Sequence, residues 1–119
     1  MQVTSAINID LSYLHSVSGG DAVFEKVLLS SAIADIQLNI DHLKKSWQEK
    51  DAVEARNAAH TLKSVMTIAG LRQLETYCKR IDVAFRDGIF RTEESPSYAC
   101  IIDGWMQAKP KLEGLVLNY

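Results

Sequence analysis

Apolar residues recur along this chain at intervals of three and four, and no stretch alternates apolar with polar long enough to make a strand. The pattern predicts an all-α protein. A short opening element covers Asp10 to His15, and Ser18, Gly19 and Gly20 then interrupt it. Asp21 is placed to cap a second helix, because a carboxylate there accepts a hydrogen bond from a free first-turn N–H. That helix runs to about Trp47 with Ile33, Ile36, Ile40, Leu43 and Trp47 on one face. Its start is apolar over a wider arc, at Val23, Phe24, Val27, Leu28 and Leu29, as expected where a helix end meets two neighbours or an outside partner.

After the polar link Gln48, Glu49 and Lys50, Asp51 is the expected cap of a third helix that reaches Ala69. Gly70 ends it, since only glycine enters the left-handed backbone turn without penalty. Leu71, Leu74, Cys78, Ile81 and Phe85 then form the seam of a fourth helix, closed by Asp87 and Gly88. Ser95, followed by Pro96, reads as the cap of a last helix carrying Ile101, Trp105, Ala108, Leu112, Leu115 and Tyr119 on its inner face. Pro110 lies inside that helix, and a kink is expected there because its ring meets the carbonyl four residues back. The sum is an antiparallel four-helix bundle with a short N-terminal lead-in helix, one domain over residues 1–119.

Composition narrows the function. A chain of 119 residues, 47% hydrophobic and with a formal charge of −2, makes one domain with a real core and has no basic patch for nucleic acid. Cys78 and Cys100 stand far apart without a CxxC pair, so they read as reduced residues of the core. No apolar run approaches the roughly 18 residues that span a bilayer, and no signal peptide opens the chain, which makes the cytoplasm the expected compartment. The Met1 start and helical end favour a whole gene product over a segment of a hybrid kinase.

The chemistry concentrates on the third helix. At about 100° per residue, Arg56, Asn57, Lys63, Ser64 and Thr67 share one polar stripe with His60 near its centre. Ala55, Ala58, Leu62, Val65, Met66 and Ala69 take the other side, so His60 faces outward. Neither Glu-x-x-His nor paired histidines four apart occur, so a metal site lacks its ligands. An idle surface histidine and a nucleophile both stay open. For the second, neighbouring cations such as Arg56 and Lys63 disfavour a second proton on the ring, and Lys63 can pair with phosphoryl oxygens. Ser64 is short enough to leave the ring reachable. His15 and His42 read as a helix-end residue and a solvated one.

The stretch AAHTLKSVMTIAGLRQLETYCKRID, with IDLSYLHSVSGGDAVFEKVLL before it, resembles the histidine-containing phosphotransfer (HPt) domains of phosphorelays. The ordered set His60, Lys63, Gly70, Leu71, Leu74 and Cys78, joined by Gly19, Gly20, Asp21 and Phe24, carries the likeness over roughly residues 9 to 90. The resemblance implies that His60 takes a phosphoryl group from a receiver-domain aspartyl phosphate and passes it to another receiver. It implies that Lys63 and Ser64 neighbour the phosphate. Asp82 looks equivalent to the residue, usually Glu or Gln, that orients the histidine, and Arg86, Thr67 and Arg56 are further orienting or partner-contact candidates. Two departures stand out: serine at 64, where the family favours glycine, and the shorter aspartate at 82, whose other reading is a surface charge pair with Arg86.

The expected partners are receiver domains of response regulators or hybrid histidine kinases, met by a monomer over the second and third helices and the lead-in residues Leu11 and Leu14. No cofactor of its own is expected, Mg²⁺ being held by the receiver. Without a glycine-rich nucleotide loop the chain is expected to be a carrier and no enzyme. A helical interaction module lacking transfer activity is the alternative.

Overall fold

The computed structural model describes residues 7–119; residues 1–6 of the expected single domain, Met1 included, lie outside the described residues. Five α-helices follow in order: α1, Ser12–Ser18; α2, Ala22–Gln48; α3, Ala52–Ile68; α4, Arg72–Ala84; and α5, Ser95–Leu117, preceded by a 3₁₀ turn at Thr92–Glu94. The described residues contain no strand. The links 49–51 and 69–71 leave room only for reversals, so α2, α3 and α4 run antiparallel. α2 packs on α3, α3 on α4, α4 on α5 and α5 back on α2, while α1 lies against α2 and α3. The 27 residues of α2, at about 1.5 Å each, span almost the whole 43 Å length of the molecule.

Local chemistry sets most of these boundaries. Asp21 accepts from the Phe24 N–H at 3.0 Å and Asp51 from the Glu54 N–H at 3.1 Å, so both expected caps are in place. The lead-in helix sits later than its sequence pattern suggests. Asp10 stays outside it, since its side chain accepts from the Ser12 N–H and its own N–H donates to the Gly70 carbonyl at 3.0 Å. The helix then continues to Ser18, whose hydroxyl donates within this corner of the fold. Gly70, at φ 74°, turns the chain out of α3, and a Cβ there would run into the Asp10 backbone.

One expectation for the last helix needs correction. Ser95 is not its cap: the 3₁₀ turn has already wound the chain, Ser95 is the first helical residue, and the preceding Glu94 makes no side-chain cap bond. α5 runs on through Pro110 as one helix. The ring lies on the exposed side, and the carbonyl it deprives of a partner belongs to Met106, which is 67% exposed and open to hydration.

The core draws on every long helix, with Ile36, Ile40 and Leu43 meeting Leu62, Met66, Leu74, Ile81, Ile101 and Leu112. α3 contributes mostly small residues, Ala55, Ala58 and Ala59, all fully buried, which lets α2 and α4 come close on either side. Gly104 does the same for α5, since a Cβ there would meet the Leu74 side chain. Cys78 is buried and reduced, and burial pushes its thiol up to about 12; Cys100 is free but only half-buried. Of the two lead-in leucines offered above as partner contacts, Leu14 is 1% exposed and belongs to the core, while Leu11 packs half-buried against it. Tyr13 and Val17 face outward instead.

Candidate functional site

α3 brings His60 to the surface because Ala58, Ala59 and Leu62 take the inward directions of its turn. The imidazole is 66% exposed, and its Nδ1 lies 3.1 Å from Asp82 Oδ2. Asp82 comes from α4, where it stands four residues after Cys78 and three before Phe85, on the buried seam. Its side chain is only 3% exposed. The same Oδ2 accepts from Lys63 Nζ at 2.6 Å, and Oδ1 accepts from Arg56 Nε at 3.0 Å. Three residues one turn apart on α3 therefore converge on one carboxylate of α4.

Burial opposes the charge of Asp82, but hydrogen bonds from Lys63, His60 and Arg56 outweigh it and hold the carboxyl well below the usual carboxylate range. An ionised carboxylate can only accept. The His60 nitrogen facing it therefore carries the proton, and in a neutral ring the lone pair is left on Nε2. Among the described residues nothing hydrogen-bonds Nε2, and Ser64 beside it is exposed and short. Lys63 and Arg56 against one carboxylate give these three side chains a formal charge of +1.

Lys63 and Arg56 do not stand free beside the ring as the helical wheel suggests; both are tied to Asp82. Nor does Asp82 form a surface pair with Arg86. The aspartate turns toward α3, while Arg86 is exposed beyond the end of α4 and takes no part in the cluster. Thr67 also lies outside it. Its hydroxyl is 2.9 Å from both the Lys63 carbonyl and Glu75 Oε2, and with one proton it donates to one of these at a time. Among the described residues no group of three metal-ligating side chains comes together.

A second buried carboxylate escaped the sequence reading. Glu25 accepts from His15 Nδ1 at 2.8 Å, Ser18 Oγ at 2.6 Å and Tyr119 Oη at 2.7 Å. The hydrogen bonds from His15, then Ser18 and Tyr119, lower its carboxyl to about 2. His15 is thus no idle helix-end residue; it joins α1 to α2. His42 likewise meets Glu54 at 2.9 Å, across α2 and α3. The sequence signal for Glu25 is its i+4 spacing to the buried Leu29, which puts a carboxylate on the inner side of α2.

The Hpt domain family model matches residues 27–103, about two thirds of the chain, and spans α3 and α4 with every residue of this cluster. The chain belongs to the Hpt domain family, and its function is histidine phosphotransfer in a phosphorelay. Its fold is similar to the crystal structure of histidine-containing phosphotransfer protein B (HptB) from Pseudomonas aeruginosa PAO1, with a TM-score of 0.81 at 22% identity over 97% of this chain and 99% of that one. A comparison with curated proteins returned no match. Family members interact with receiver domains, and among the described residues no helix is long and apolar enough to cross a membrane.

Proposed function

We propose that His60 is the residue that carries the phosphoryl group. The single observation behind this is the hydrogen bond from its Nδ1 to an ionised, buried carboxylate, which leaves Nε2 exposed with its lone pair free. Nε2 attacks the phosphorus of a receiver's aspartyl phosphate; the N–P bond forms, the P–O bond breaks, and the electron pair leaves with the aspartate carboxylate. The ring becomes positive as its lone pair is used, and Asp82 stabilises that charge through Nδ1–H. Lys63 has three N–H donors and spends one on Asp82, so two remain for phosphoryl oxygens. Ser64 keeps the approach open.

The chain acts as a carrier and leaves metal chemistry to its partner, the receiver supplying Mg²⁺ at its own aspartate. Docking takes the solvent side of α2 and α3 and extends onto α1. The His42–Glu54 bond sets the register of the antiparallel pair, so that His60, six residues beyond Glu54, lies level with Ile36, six before His42. Exposed Val27 then lies about 14 Å along α2 from that level, with Phe24, Tyr13 and Val17 beyond it. A receiver-sized footprint of about 800 Å² covers both the histidine and this apolar end.

The test is transfer from a phosphorylated receiver domain. Acid-labile phosphate is expected on the wild-type chain and absent from His60→Gln. Undiminished label on that variant would remove the assignment. The alternative of a transfer-dead interaction module has no observation in its favour, since the cluster holds a nucleophile, its orienting partner and its cations together.

A further inference from the structure

The cluster contains one contact that phosphotransfer as described does not use. Arg56 stands one turn before His60 and reaches past it to Asp82 Oδ1 at 3.0 Å. Oδ2 serves two donors, Lys63 at 2.6 Å and His60 at 3.1 Å, whereas among the described residues Oδ1 accepts from Arg56 alone. The terminal torsion of an aspartate is broad, so a carboxylate held on one oxygen by a flexible lysine has no fixed plane. A donor on the second oxygen fixes it. The guanidinium suits this: it is planar, always charged and 38% exposed, while the carboxylate it grips is shielded from water.

We infer that Arg56 is a positioning residue: by holding Asp82 Oδ1 it aims Oδ2 at Nδ1 and so decides which nitrogen of His60 carries the proton. Without Arg56 the carboxylate is free to rotate, and Oδ2 loses its fixed place in front of Nδ1. Lys63, the closer and charged donor, keeps its bond, and His60 loses the longer one. An imidazole released into water favours the proton on Nε2, which removes the lone pair that transfer needs. The Asp82 side chain is short and has little reach of its own with which to find the ring. An external clamp is what lets the short side chain serve.

The rate consequence rests on His60 as the phosphoryl acceptor, whereas the tautomer consequence does not. The experiment separates them. Nitrogen-15 NMR of the imidazole nitrogens is recorded with the ring neutral for wild type, Arg56→Gln and Arg56→Lys, with His60 assigned by its loss in His60→Gln. The wild type is expected to show a protonated Nδ1 and a bare Nε2. Arg56→Gln is expected to shift the population toward protonated Nε2, and Arg56→Lys to restore part of the original state. Phosphoryl transfer from a receiver should fall about tenfold in Arg56→Gln, the effect of one hydrogen bond to a charged group, with the receiver concentration at half-maximal rate unchanged. Circular dichroism checks that each variant keeps its helices, and the lysine variant carries the test if the glutamine variant does not fold. An unchanged tautomer in a folded variant overturns the inference, as does a slower transfer caused only by weaker receiver binding. If His60 proves not to accept phosphate, the NMR outcome still decides the role of Arg56.

Discussion

Asp82 accepts three hydrogen bonds on two oxygens while almost no water reaches it, and its removal reveals how much of the cluster is structural. Asp82→Ala leaves Arg56 and Lys63 without a partner, but both are partly exposed and can be hydrated. The expected loss is therefore about 1–3 kcal/mol, below that of a fully enclosed pair, measured by urea denaturation. His15 offers a contrast: its Nδ1 also faces a buried carboxylate and its ring is also exposed, yet no lysine or arginine among the described residues bonds to Glu25. A dianionic phosphoryl group there would meet an uncompensated anion. His15→Gln is accordingly expected to leave phosphate labelling of the chain intact, and phosphopeptide mapping that finds label on His15 would contradict this. The outward direction of His60 was legible from the helical wheel alone, because one helix fixes it. The direction of Asp82 stayed open between an orienting residue and a surface pair with Arg86, because a charge in a buried register makes no sense until its partners on another helix are known.

At the scale of elements, capping by Asp21 and Asp51 was readable because a cap needs only residues three apart. Ser95 misled for the same reason reversed: serine before proline is a local signal, and the 3₁₀ turn that displaces it depends on neighbours the local pattern does not contain. Gly70 combines both kinds of constraint. Its backbone is left-handed, and the Asp10 backbone fills the space a side chain would take. Gly70→Ala is expected to destabilise by about 2 kcal/mol or more, seen as a lower Tm, with the loss concentrated where α1 meets the end of α3. Glu25 holds that same region from the other side. A carboxyl with a lowered folded pKa stabilises fully above its unfolded value and loses that contribution as pH falls through the folded one. For Glu25 the window runs from about 4.5 down to about 2. Urea midpoints should fall over that range, and Glu25→Gln should flatten the fall.

Over the whole molecule, the bundle keeps its chemistry on the outer side of α3, with His60 open to solvent. Receivers are expected to bring the metal, so chelation by EDTA should stop transfer in mixtures with a receiver while leaving the Tm of this chain unchanged; a chelator-induced drop in its own Tm would point to a metal of its own. The bundle class was legible because three-four spacing persists through four segments. The coupling of helices through Glu25, by contrast, joins residues 94 apart in sequence, as the Tyr119 hydroxyl does, and no local pattern announces it.

The openness of His60 has a price in time. If His60 carries the phosphoryl group as proposed, a phosphoramidate on this exposed ring has water as a permanent competitor for its phosphorus. Delivery then depends on how soon the next receiver collides, so receiver abundance would govern how far a signal travels before solvent erases it.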